Sequence, residues 1–249
     1  MKRSYTKQEI EQFWVGLIDS DGSVQCNHWR KKVLQYRIVI KMHIDNIEML
    51  QTIQKGLGGG SVRTVSVSKK EGKQEAIWVE NHQRRIWKLL EIFERYPPLT
   101  TRVQSQIAFL KQCRAENDVS WMLNNRENKY NAYTSAACVH ELHPKNIISL
   151  HYFPIWCSGF ITGEGCFSFR KDHNVKSFSI AQKHDKYLIE AIRDFFGGVN
   201  KVRPLKDEMY VWEIYRIDVL KRIFAHCEMY PLLGKKKIQL STFISALNL

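Results

Sequence analysis

Between Leu34 and His43 the chain alternates: Leu34, Tyr36, Ile38, Ile40 and Met42 fall on one side, and Gln35, Arg37, Val39, Lys41 and His43 on the other. A period of two over this length predicts a half-buried strand. Phe167 and Phe169, then Phe178 and Ile180, predict a second pair of strands. Ahead of each strand pair the apolar period is helical. Phe13, Leu17 and Ile18 follow Thr6-Lys7-Gln8-Glu9, which has the form of a capping box, and Pro154 can open the later helix. Ile47–Leu57 and Tyr187–Phe196 predict helices, as do 84–95 and 217–229. Segments 60–68 with 75–80, and 199–204 with 209–216, predict further hairpins. Aromatics at helical spacing in these regions, such as Trp87 and Phe224, read as core. Each predicted sheet has one apolar face for helices and one face rich in Gln, Arg, Lys, Ser and Thr.

The order of elements occurs twice, and so do its landmarks. Gly16-Leu17-Ile18-Asp19-Ser20-Asp21-Gly22 is answered 143 residues later by Gly159-Phe160-Ile161-Thr162-Gly163-Glu164-Gly165. Leu57-Gly58-Gly59 is answered by Phe196-Gly197-Gly198, Trp78 by Trp212, and Tyr96-Pro97-Pro98-Leu99 by Tyr230-Pro231-Leu232-Leu233. Matches kept in order, with an offset that drifts by a few residues, indicate a duplicated unit with insertions in its loops. The expected organisation is a first repeat over 1–113, a linker over 114–151 and a second repeat over 152–249. The class is α+β, with two pseudo-symmetric halves of order αββαββα. Within the polar linker, Val119 to Leu123 can dock on the core.

The 249 residues carry 38 Lys plus Arg against 25 Asp plus Glu, a formal net charge of +13. That excess implies an anionic partner, nucleic acid before a membrane surface. No apolar run is long enough to span a bilayer, and the first residues lack the apolar core of a signal peptide. The six cysteines form no CxxC pair and read as reduced, mostly buried thiols. Cys138-Val139-His140-Glu141-Leu142-His143 offers soft ligands, but no partner pair completes a zinc site, so it reads as linker.

Gly16 and Ser20 share one helical face, as do Gly159 and Gly163. Small residues at that spacing permit close approach of two helices. Asp21 and Glu164 then emerge at the helix C-termini, with Gly22 and Gly165 expected as helix-terminating glycines. A carboxylate there opposes the helix dipole, and two together repel. Breaking the same local rule at matched positions marks function. Divalent cations resolve the conflict; hard oxygen ligands suit Mg²⁺, and paired metals activate water against a phosphodiester.

Trp14-Val15-Gly16-Leu17-Ile18-Asp19-Ser20-Asp21-Gly22 and Cys157-Ser158-Gly159-Phe160-Ile161-Thr162-Gly163-Glu164-Gly165 resemble the two signature motifs of single-chain LAGLIDADG homing endonucleases. The likeness covers both copies. It implies a saddle of two sheets on double-stranded DNA, with motif helices at the interface of the halves. It also implies metal ligands Asp21 and Glu164, helped by the carbonyls of Ser20 and Gly163. The reaction implied is Mg²⁺-dependent cleavage of both strands across the minor groove, leaving 3′ overhangs, by a monomer. Ca²⁺ is expected to support binding without cleavage. Trp14, Cys157 and Thr162 depart from the pattern; Thr162 replaces an acid that is structural in the family. Gln182, in Ala181-Gln182-Lys183, resembles the polar residue that holds water near the metals; its partner lies within Lys41-Met42-His43. Lys236 aligns with the family's active-site lysine and Arg102 is its counterpart, while Lys235 and Lys237 remain alternatives. An intron-encoded gene in an organelle, the mitochondrion first, is implied.

Strand parity then selects the DNA-facing residues. In the first copy these are Gln25, Asn27, Trp29, Gln35, Arg37 and Lys41, with Arg63 from the second hairpin. In the second copy they are Ser168, Arg170, Ser177, Ser179 and Lys183, with Lys201 and Arg203. Arg, Gln and Asn suit base edges, and Lys and Ser suit phosphates. The two halves imply a long asymmetric target. The rival readings are an RNA-binding intron maturase and a catalytically inactive DNA-binding protein of the same fold.

Overall fold

The computed structural model describes residues 3–68, 73–131, 143–170 and 175–246. Helix α1 (Lys7–Asp21) leads into strands β1 (Gly22–Trp29) and β2 (Val33–His43), helix α2 (Ile47–Leu57), strands β3 (Ser61–Ser68) and β4 (Lys73–Glu80), and helices α3 (Gln83–Arg95), α4 (Thr101–Glu116) and α5 (Val119–Asn125). After the short helix α6 (Pro144–Ile148) come α7 (Phe153–Glu164), β5 (Cys166–Arg170), β6 (Val175–Lys183), α8 (Lys186–Phe195), β7 (Arg203–Pro204), β8 (Met209–Ile214), α9 (Ile217–Met229) and α10 (Gly234–Ala246). Both sheets are antiparallel and share one strand order, β1-β2-β4-β3 and β5-β6-β8-β7. This is the expected α+β duplication, with α4 and α10 added beyond the αββαββα order.

The chain divides into two compact bodies, Met1–Ser20 with Glu141–Leu249, and Asp21–His140. Packing thus cuts the chain differently from sequence likeness, because α1 lies in the body that contains the second copy. The cause is backbone contact. A methyl on Gly16 would sit 2.0 Å from the Trp156 carbonyl oxygen of α7, and one on Gly159 would sit 2.1 Å from the Phe13 carbonyl oxygen. The start of α1 is the predicted capping box. Thr6 N–H donates to Glu9 Oε2 at 2.8 Å, and Glu9 N–H to Thr6 Oγ1 at 3.3 Å.

In the body Asp21–His140, Ile38, Ile40 and Trp78 form the helix-facing row of the sheet and are fully buried beside Leu50, Ile53 and Ile86 of α2 and α3. Helix α2 stops at Gly58, whose φ of 65° is the left-handed conformation that a Cβ disfavours. The docking predicted for 119–123 is present: Met122 is buried and Trp121 stacks on Phe109 of α4, ring centroids 6.0 Å apart. In the other body Phe178, Ile180, Trp212 and Ile214 fill the same row, beside Leu188, Ile192 and Ile223. Ile40 lies opposite Trp78, as Ile180 lies opposite Trp212, so the two registers superimpose.

One local expectation is refined and one needs correction. Gly22 and Gly165 follow directly on the last residues of α1 and α7, as expected, but neither is left-handed. Gly22 opens β1, and Gly165 is extended at φ −67° and ψ 140°. Gly165 is required sterically, since a Cβ there would meet the Ile161 carbonyl oxygen at 2.7 Å. The strand expected over 199–204 is cut to Arg203–Pro204: the Glu213 carbonyl of β8 is taken by the Asn200 side chain, Nδ2 donating at 2.6 Å, and Lys201 precedes the strand. Of the cysteines, Cys113, Cys157 and Cys227 are buried and Cys166 is exposed; Cys138 and the run through Leu142 lie outside the described residues. Among the described residues no helix is long and apolar enough to cross a membrane.

Candidate functional site

Helices α1 and α7 each end on an acidic residue, Asp21 and Glu164, one exposed and the other half-buried. The other acid of the first motif does different work. Asp19 is fully buried and accepts a hydrogen bond from Trp156 Nε1 at 2.8 Å. Burial, with the Asp19 charge added, pushes the phenol of Tyr152 well above its ordinary value. Thr162 stands at the matching position and returns its hydroxyl to the Ser158 carbonyl of its own helix at 2.8 Å. Asp19 and Thr162 are therefore structural, and Asp21 and Glu164 are left at the helix ends.

The residue after each terminal acid is tied by a cation. Arg102 Nη1 of α4 donates to the Gly22 carbonyl at 2.5 Å, and Lys236 Nζ of α10 donates to the Gly165 carbonyl at 2.5 Å. The two copies thus build the same contact independently, each within its own body. Of the three consecutive lysines, Lys236 makes this bond. One turn beyond Arg102, Gln106 accepts the Val24 N–H through Oε1 at 2.8 Å and donates to the Tyr130 hydroxyl at 3.1 Å. Sequence reasoning passed over Gln106; its spacing of four from Arg102 is the signal that places it on the same face of α4.

Strand register tests the outward rows. Gln25 pairs with Arg37, Asn27 with Gln35 and Trp29 with Val33, so these side chains share one face. Arg63 lies opposite Ile77, which in turn lies opposite Lys41, on that same face. Asn27, Gln35 and Arg37 line one groove of about 480 Å³ together with Asn81. The Nε of Arg37 is buried without a hydrogen-bond partner among the described residues. Trp29 is 56% exposed. The outward row is not wholly polar. Val39, Ile77 and Val79 form a small buried cluster on it, with Val65 against them.

In the second sheet Ser168 pairs with Ser177, and Ser179 with Glu213. Ser177 lies on the predicted face but is 1% exposed, its hydroxyl donating to Glu213 Oε1 at 3.3 Å. Ser179 is half-buried and Lys183 exposed. Lys201 and Arg203 line a groove of about 890 Å³ with Glu213 and Arg216. The Arg170 backbone pairs with Val175; its side chain lies outside the described residues. Gln182 belongs to the opposite row, in step with Phe178 and Ile180, and is 7% exposed. The register sets Met42 at the matching place in the first copy, so Gln182 has no polar twin.

The LAGLIDADG endonuclease family matches residues 14–113 and 157–247. A probable intron-encoded endonuclease aI3 of Dictyostelium citrinum is 37% identical over 97% of this chain and 97% of that protein. A protein of the same name from Debaryomyces hansenii is 38% identical over 94% of this chain, which spans 38% of that longer protein. The crystal structure of the I-LtrWI LAGLIDADG homing endonuclease bound to target DNA is 17% identical, covers 98% of this chain and 91% of that one, and has a TM-score of 0.73. That likeness shows a common fold, while the paired motif helices and both matched segments show descent: the chain belongs to the LAGLIDADG endonuclease family.

Proposed function

We propose that this chain is a site-specific double-strand DNA endonuclease, hydrolysing one phosphodiester on each strand across the minor groove of a long asymmetric target and leaving 3′ overhangs. The observation that carries the reading is the matched helix end: an acid closing α1 and α7, followed in each case by a carbonyl tied to a cation. The outward rows supply the second half of the argument, with Gln25, Asn27, Gln35 and Arg37 on one sheet face. Such side chains match base edges in the major groove.

The donor set fits Mg²⁺. Asp21 and Glu164 offer hard carboxylate oxygens, and the Ser20 and Gly163 carbonyls are of the same kind. Among the described residues no three His, Cys, Asp or Glu side chains gather to hold an ion. An ion here would keep water and phosphate ligands, as Mg²⁺ does. When bound it would activate a water for attack on the phosphodiester and offset the negative charge that develops there. The chain does the rest. Asp21 and Glu164 would each hold a hydrated ion by its carboxylate, and Arg102 and Lys236 set positive charge beside the helix ends, where charge grows on the phosphoryl group. Gln182 is assigned to orienting water through the likeness of Ala181-Gln182-Lys183 to the family.

Asp21→Asn or Glu164→Gln should abolish cleavage and leave binding in Ca²⁺ within a few-fold of wild type. Cleavage selection on a randomised DNA library in Mg²⁺, with binding measured in Ca²⁺, reads both. A variant that cuts at the wild-type rate removes that residue from the chemistry. A folded wild-type chain that yields no cut ends overturns the nuclease reading and turns the assay to intron RNA. The relatives' names support an intron-encoded gene, and a monomer in an organelle, the mitochondrion first, completes the reading.

A further inference from the structure

A carboxylate stands in the middle of the second sheet's outward face. Glu213 of β8 pairs across the sheet with Ser179, and Arg203 lies opposite Val211 on the same face. Glu213 Oε2 accepts from Arg203 Nη2 at 3.0 Å, and its Oε1 from Ser177 Oγ at 3.3 Å. Its backbone carbonyl accepts from Asn200 Nδ2 at 2.6 Å. The Glu213 side chain is 17% exposed and that of Arg203 is 60% exposed. The carboxylate is shielded and the guanidinium projects from it.

On a face meant for phosphates this acid is costly, since it repels the ligand that a charge of +13 attracts. The sheet does not require it. The registers that place Val39 opposite Val79 and Ser179 opposite Glu213 make Val79 the counterpart of Glu213, and Arg63 the counterpart of Arg203. In the first copy that position is filled by the cluster of Val39, Ile77 and Val79. One architecture therefore folds with a valine there, and the acid has another use.

Resting on the reading of this chain as a DNA-cleaving protein, we propose that Glu213 is a positioning residue that sets base specificity in the second half. It holds the Arg203 fork, and Ser177 beneath it, in one orientation, so that Arg203 recognises a guanine in the major groove. An arginine left to rotate would find phosphate anywhere along the duplex. An arginine anchored through one Nη keeps a fixed fork, and the neighbouring negative charge penalises every arrangement in which no base repays it. Bidentate contact with guanine is the pairing that suits such a fork.

The test is a base-substitution profile of the full target, read as relative binding in Ca²⁺ for every single base-pair change, with wild type, Glu213→Gln and Arg203→Lys. Arg203→Lys keeps the charge, removes the fork and alters only an exposed side chain, so folding is not at issue. Glu213→Gln should cut discrimination by about tenfold at a single base pair, with equal or tighter binding to unrelated DNA. Arg203→Lys should relax the same base pair, and the double variant should add little to either. A Glu213→Gln profile that superimposes on wild type overturns the proposal. So does a loss spread evenly over the target, or two variants that act on different base pairs. A wild-type chain with no preferred duplex would instead overturn the endonuclease reading on which this rests.

Discussion

A single methyl group at residue 16 would occupy space already held by the backbone of Trp156. The contact would be 2.0 Å, and at Gly159 the reciprocal contact with Phe13 would be 2.1 Å. Backbone cannot swing aside as a flexible side chain can, so the helices must separate. Gly16→Ala is expected to destabilise the body containing α1 and α7 by about 3 kcal/mol or more. Gly159→Ala should cost a similar amount, and the pair should cost less than the sum, because the first substitution already opens the crossing. Urea unfolding followed by circular dichroism checks this; a loss below about 1 kcal/mol would mean that the crossing tolerates a methyl. The same close contact was legible in the small residues of the two motifs. The work of Asp19 was not, since its partner Trp156 lies 137 residues away.

Helices α7 and α9 are joined by a buried polar contact between Ser158 Oγ and His226 Nε2 at 3.0 Å. The Ser158 hydroxyl also donates to the Tyr230 carbonyl at 2.8 Å, and Phe195 and Phe196 stand edge-on to the imidazole. Burial lowers the pKa of His226 from 6.5 to about 4. Between those values the unfolded chain binds a proton that the folded chain refuses, so stability rises with pH across that window. The contribution is complete above pH 6.5 and lost as pH falls toward 4. Its size is up to about 3 kcal/mol. Unfolding free energies at pH 7 and pH 4.5 should differ in that direction, and His226→Gln should flatten the dependence. An unchanged slope in the variant would assign the acid sensitivity elsewhere. Nothing in the spacing of α9 predicts this. A histidine among apolar residues at helical spacing reads as core, and its partner is set by how two helices meet.

A formal charge of +13 spread over both copies carries a consequence for binding as a whole. Phosphate contacts release counterions, so the logarithm of affinity should fall linearly with the logarithm of salt concentration. With about six to ten contacts the slope is roughly −5 to −9. Fluorescence anisotropy on a target duplex between 50 and 200 mM salt reads it. A slope shallower than about −2 would mean that the basic faces do not meet the DNA backbone. The charge excess alone names an anion; the two outward rows give that anion a place to lie in each copy.

Duplication, strand parity, the capping box at Thr6 and the matched acids at 21 and 164 were all readable from residue order. Each is a local property: a backbone repeats its orientation every two residues in a strand and every 3.6 in a helix, so neighbours in sequence report the face. The length of β7 was not readable, because the Asn200 side chain takes the carbonyl of Glu213, a contact that local spacing does not report. Other features came from folding alone. Val39 and Ser177 are buried on a row that parity marks as outward, since their cover comes from β4 and β8. Arg102 and Lys236 are ordinary surface cations by spacing and were paired only through the family likeness; their contacts with carbonyls 80 and 71 residues distant arise when α4 and α10 pack. Period is encoded along the chain, whereas burial and partnership depend on side chains that only tertiary packing brings within reach.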